Sequence, residues 1–118
     1  MLFRSVTCLS PDDLAGLAGV GALLHPDPVL SRLAWTRNFG SPTGYSLLGI
    51  THSTAGPAVM DSIGDLAIAP LHPWDAVVCT SRAVLQTFET VLGLWEEHLR
   101  HRVGACHRPR PQIGRAHV

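Results

Sequence analysis

The stretch from Tyr45 to Arg82, YSLLGITHSTAGPAVMDSIGDLAIAPLHPWDAVVCTSR, constrains the fold more than any other part of the chain. An apolar run, Tyr45 to Ile50, ends in the polar cluster Thr51-His52-Ser53-Thr54. A helical pattern and a proline-rich turn follow. A second apolar run, Ala76 to Cys79, then ends in Thr80-Ser81. The order is strand, polar tip, helix, strand, polar tip: one βαβ unit with hydroxyls and an imidazole at the carboxyl ends of both strands. Ligands of open α/β sheets collect at those ends, where strands stop and helix N-termini point outward.

The remaining elements extend the same alternation. Ser10-Pro11-Asp12-Asp13 is a helix-start signal, and Gly16, Gly19 and Gly21 keep that helix short. Ala22 to His25 reads as a short buried strand stopped by Pro26. Asp27 as cap and Pro28 at the first helical position predict a helix with Val29, Leu30, Leu33 and Ala34 on one face and Arg32 and Arg37 off it. Gly49 within the near-continuous run from Tyr45 predicts a strand covered on both faces. Pro57 opens a helix with Val59, Met60, Ile63, Leu66 and Ala67 inward and Asp61 and Asp65 outward. Thr80 or Ser81 caps the longest helix, which runs to about Arg102 with Val84, Phe88, Val91, Trp95 and Leu99 as its stripe and Gly104 just past its end. The expected class is α/β: a partial Rossmann-like domain over residues 1–104, with a mainly parallel sheet and flanking helices, then an irregular tail over 105–118.

Composition narrows the function classes. Hydrophobic residues make up 46% and charged residues 15% of the 118, which is the balance of a globular chain. Lys and Arg balance Asp and Glu at nine each, which gives no electrostatic footprint for nucleic acid. No apolar run reaches the roughly 20 residues of a membrane span, and residues 1–13 lack the features of a secretory signal. Three widely spaced cysteines, Cys8, Cys79 and Cys106, fit a reduced, cytoplasmic chain. Ile113-Gly114-Arg115-Ala116-His117-Val118 can be encoded by ATC GGA AGA GCA CAC GTC, the core of a common sequencing adapter. That coincidence predicts adapter-derived residues at 113–118 and a truncated chain, and different codons there would remove the idea.

His52 is the leading candidate for chemistry: an imidazole at a strand tip, flanked by Thr51, Ser53 and Thr54, can exchange a proton near neutrality. A hydrogen-bonded structural histidine is the plainer reading. Thr80 and Ser81 offer hydroxyls and helix N-terminal amides to a ligand, although ordinary capping is commoner. Trp74-Asp75 can line a sugar site by stacking or can plug the sheet edge. Asp61 and Asp65 fit a solvated helix face. His98, His101, Cys106 and His107 lack a recognised zinc spacing, so no metal site is expected. The dinucleotide, P-loop, zincin and nucleophile-elbow motifs are all absent.

Three blocks in order, Tyr45-Ser46-Leu47-Leu48-Gly49-Ile50-Thr51-His52-Ser53-Thr54, Met60-Asp61-Ser62-Ile63 and Pro73-Trp74-Asp75-Ala76-Val77-Val78-Cys79-Thr80-Ser81, resemble the N-terminal half of bacterial family-4-type glycosyltransferases. Pro26-Asp27-Pro28 and Leu33-Ala34-Trp35 fit the same group, so the resemblance covers about residues 20–104. It implies one half of a two-domain GT-B fold, on the acceptor side of a cleft. It further implies sugar transfer from a nucleotide-sugar donor to a glycan acceptor without a catalytic metal. His52 would then be the catalytic residue, and Thr51, Ser53, Thr54, Thr80 and Ser81 would be substrate-binding. The nucleotide-holding half and the strand expected after the long helix are not seen in these residues, so the chain is expected to bind no cofactor and to be inactive alone. Apolar surface facing the other half would favour self-association. The alternatives are a small non-catalytic α/β binding or interaction module and a two-component enzyme whose donor half is a separate chain.

Overall fold

The computed structural model describes residues 6–10, 12–104 and 111–115. Its elements are α1 (Leu14–Leu17), β1 (Gly21–His25), α2 (Ser31–Phe39), β2 (Tyr45–Ile50), α3 (Pro57–Leu66), β3 (Ala76–Cys79), α4 (Arg82–Val103) and β4 (Gln112–Arg115). The four strands form one sheet in the order β1-β2-β3-β4, and every pairing is parallel. This is the expected α/β class, a partial Rossmann-like arrangement with helices joining successive parallel strands.

Local chemistry sets the element ends. Asp13 caps α1 by accepting a hydrogen bond from the Gly16 amide at 3.0 Å, while the Ser10 hydroxyl accepts from the Asp12 amide; Pro11 lies outside the described residues. Asp27 does not cap α2. Its carboxylate accepts from the Val29 amide at 2.9 Å, an Asx turn that delays the helix to Ser31. Pro57 starts α3, as its fixed φ and missing N–H allow. Of the two hydroxyls before α4, Ser81 is the cap, accepting from the Val84 amide at 3.1 Å. Gly104 ends α4 at φ +87°, a conformation that other residues rarely adopt.

Helix α3 packs between α2 and α4, and α4 also lies on β3 and β4, so the three helices form one layer on one side of the sheet. Uniform crossovers along a 1-2-3-4 strand order produce this single-sided arrangement. The core is the interface of helix layer and sheet: Leu47, Val77 and Cys79 from the strands meet Leu30, Ala34, Ile63, Leu66, Phe88 and Leu92 from the α2 region, α3 and α4. Two glycines permit close approach. A Cβ on Gly64 would stand 2.3 Å from the Trp95 ring, and one on Gly49 would stand 2.9 Å from the Asp27 carbonyl.

Three expectations need correction. Strand β2 alternates buried and half-buried residues instead of being covered on both faces, because no described helix lies over its second side. Strand β1 is not buried: it is the sheet edge, and its Leu24 is 59% exposed. The tail is not irregular throughout 105–118, because Gln112–Arg115 pairs in parallel with β3 and forms the strand that seemed missing after the long helix. Pairing to an open strand satisfies backbone groups whatever the side-chain pattern, so this short segment with Gly114 carries little sequence signal. Ile113 packs against the core; residues 105–110 and 116–118 lie outside the described residues.

Candidate functional site

Because all strands run the same way, their carboxyl ends share one edge of the sheet. His25 pairs with Gly49 there, and Ile50 pairs with Val78, so Pro26, the Thr51–Thr54 cluster and Thr80-Ser81 follow from neighbouring strands. The predicted site residues do come together. Their roles differ.

Thr51 is buried, and it ties two strand ends together. Its amide donates to the Val78 carbonyl at 3.0 Å, and its hydroxyl oxygen accepts from the Thr80 amide at 3.2 Å. Ser81 is committed to capping α4, and the Ser53 hydroxyl accepts from the Ala55 amide at 3.2 Å. The side chains most open to a ligand at this edge are those of His52, Ser53 and Thr80, all exposed, beside the half-buried Thr54. The His52 imidazole reaches across to the residue that follows β1, where its Nε2 meets the Pro26 carbonyl. A carbonyl only accepts, so Nε2 carries the proton and Nδ1 of the neutral ring keeps a free lone pair. That geometry suits a base acting through Nδ1, held in orientation by the Pro26 bond.

The edge lacks one feature of open α/β binding sites. Strand order does not reverse among the described residues, so no crevice opens between diverging crossovers. A cleft of about 280 Å³ lies instead at the opposite, amino-terminal edge, lined by Gly21, Thr43, Gly44, Tyr45, Ser46 and Trp74. Trp74 is 45% exposed and stacks on His72 with ring centroids 4.3 Å apart and planes 16° from parallel. It is therefore an exposed platform and not a plug.

Asp75, its neighbour, is not available to a sugar. Fully buried, its carboxylate accepts two hydrogen bonds from Arg37, at 2.6 and 2.7 Å, and one each from the Leu47 and His72 amides at 2.8 Å. Its carbonyl accepts from the Gln112 amide at 2.7 Å. Arg37 also donates to the Tyr45 and Pro70 carbonyls at 2.9 and 3.2 Å. One ion pair thus joins α2, the start of β2 and the turn before β3, and the Asp75 backbone adds the start of β4. Arg37 was expected off the apolar face and is 1% exposed; the signal was its spacing, since Leu30, Ala34 and Arg37 fall at i, i+4 and i+7.

Burial raises the ionisation of Tyr45 above its ordinary range, partly offset by the Arg37 charge. Burial, and then the Glu89 charge, also push the Cys79 thiol up. Asp61 and Asp65 are exposed on α3, as a solvated face requires. Among the described residues no three His, Cys, Asp or Glu side chains converge as a metal site, and Cys106 and His107 lie outside them. No described helix is long and apolar enough to cross a membrane.

Fold and edge together define an α/β protein with a single-sided parallel sheet and a histidine held at its carboxyl edge. Comparison with known protein families, with curated proteins and with solved structures finds no match.

Proposed function

We propose that this chain is the acceptor-side part of a cytoplasmic glycosyltransferase that moves a sugar from a nucleotide-sugar donor to a glycan acceptor. The observation that carries the reading is spatial. Two of the blocks that resemble the family end at adjacent strand tips, and the joint from Thr51 to Thr80 holds those tips at a fixed separation beside His52. In this reading His52 contacts the donor sugar or the reacting centre through Nδ1, Ser53, Thr54 and Thr80 face the substrate, and Thr51 and Ser81 position the edge. The nucleotide-binding half implied by the resemblance is not among these 118 residues, so the chain alone transfers no sugar.

The test is His52→Ala in the complete enzyme encoded at this locus, assayed by nucleotide release from nucleotide-sugar donors. A fall in kcat of roughly 10²–10⁴ is expected for loss of a proton-transfer or charge-stabilising group. Wild-type turnover in His52→Ala, or sugar transfer by the isolated 118 residues, would overturn the reading. A second reading, a non-catalytic binding module, is favoured by one observation: the described cleft, with exposed Trp74, lies at the edge away from His52. Ligand binding there without turnover by the complete protein would support it.

A further inference from the structure

The cleft at the amino-terminal edge is built from residues that the chemistry of His52 does not use. Gly21 comes from the start of β1, Thr43, Gly44, Tyr45 and Ser46 from the loop into β2, and Trp74 from the turn before β3. At about 280 Å³ it falls just under the usual span of small-molecule sites, about 300–1,000 Å³, so it suits one compact ring and not an extended ligand. Trp74 is its aromatic wall, and that ring is held before any ligand arrives. His72 stacks on it at 4.3 Å, which covers one face of the indole and leaves the other for a ligand. The turn carrying both rings is closed at each end. The Asp75 amide donates to the His72 carbonyl at 3.0 Å, and the His72 amide donates to the Asp75 carboxylate at 2.8 Å. That carboxylate is buried and paired with Arg37. An exposed tryptophan fixed in this way loses little freedom on binding.

Charge decides the ligand class. None of the six lining residues is charged near neutral pH, and Arg37 and Asp75, which adjoin Tyr45 and Trp74, are buried and paired with each other. Phosphates, nucleotides and organic acids therefore find no counter-charge here. The cleft offers an aromatic face, the hydroxyls of Thr43 and Ser46, each both donor and acceptor, and main chain left bare by Gly21 and Gly44. A neutral pyranose matches that set: its C–H face lies against the electron-rich indole, and its hydroxyls exchange hydrogen bonds with the two side chains. A nucleobase asks for side-chain amides or carboxylates at its edge, and none of the six supplies one. We propose that this cleft binds a single neutral pyranose unit, stacked on Trp74 and hydrogen-bonded by Thr43 and Ser46. It lies about 20 Å from His52 along β2, so a sugar held there is not presented to that imidazole. The proposal rests on the binding-module reading in that both need this cleft to take a ligand. Turnover by the complete protein would end that reading and leave the sugar site standing, whereas failure of sugars to bind would end the proposal alone.

The test is a saturation-transfer NMR titration of the complete protein encoded at this locus. The probes are the methyl glycosides of glucose, galactose and mannose, and N-acetylglucosamine, each to about 50 mM. At least one should bind with a Kd near 1 mM, in keeping with one stacked ring on an open cleft. Trp74→Ala should weaken that binding at least about tenfold, and Trp74→Phe should restore most of it. Thr43→Val, on an exposed loop, should weaken it by about two- to tenfold and serves alone if Trp74→Ala fails to fold by circular dichroism. Trp35→Ala, an equally exposed tryptophan outside the lining, should leave the affinity unchanged. No sugar binding at about 50 mM, binding unmoved by the folded variants, or tighter Trp74-dependent binding of uridine or glucose 1-phosphate would each overturn the proposal.

Discussion

Asp75→Asn is the substitution on which the account of this fold rests most directly. The side chain keeps its size and one carbonyl oxygen, but the charge opposite Arg37 disappears. Arg37 is 1% exposed, so its guanidinium stays buried without a counter-ion. Breaking a buried pair in this way costs about 3–5 kcal/mol, although replacing both partners by apolar groups is often neutral. The Leu47 and His72 amides now compete for one remaining oxygen, which adds to the loss. Against a total stability of about 5–15 kcal/mol for a domain, the fraction is large. With a urea slope of about 1.5 kcal/mol/M, the midpoint followed by circular dichroism should fall by about 2–3 M. Arg37→Met removes the opposite partner, and the double variant should cost about 1–3 kcal/mol less than the sum of the singles, since the two are directly coupled. A single-variant loss below about 1 kcal/mol, or strict additivity in the cycle, would refute the claim that this pair holds the amino-terminal edge together.

Gly64→Ala should destabilise by about 1–3 kcal/mol even though alanine favours helices, because the new methyl meets the Trp95 ring at 2.3 Å and forces α3 from α4. An unchanged urea midpoint would sink that reasoning. Stability should also fall in alkali. Both Tyr45 and Cys79 ionise at higher pH in the fold than unfolded, so the unfolded chain loses protons first and the stabilisation, complete below the unfolded values, is lost as pH rises through the folded ones. The decline should begin near pH 9 with Cys79, whose ordinary value is 9.0, and continue beyond pH 10 with Tyr45, whose ordinary value is 10.0. Urea titrations at stepped pH should show Cys79→Ala flattening the first part of that decline, and an unchanged slope would contradict the assignment.

The elements themselves were legible because they are set by short-range chemistry. Apolar runs of strand length, the Pro57 start, the Ser81 cap and the Gly104 stop act within a few residues, and each stands where the sequence puts it. The gathering of His52, Ser53 and Thr80 at one edge was legible too, because a parallel βαβ unit brings successive carboxyl ends together.

What the sequence by itself determined, then, is the order of strands and helices and the edge on which the candidate residues meet. Tertiary structure decided the rest. Thr51 became a buried joint because the Thr80 amide came within reach, and Asp75 left the list of ligand-facing residues because Arg37 arrived from 38 positions earlier. Strand β4 formed because β3 offered an unpaired edge, and among the described residues one sheet face stayed open because α2, α3 and α4 lie on the same side. The physical reason is common to all four. Hydrogen-bond partners and burial for these groups come from residues distant in the chain, and no local pattern encodes a contact that only the folded sheet brings within hydrogen-bonding distance.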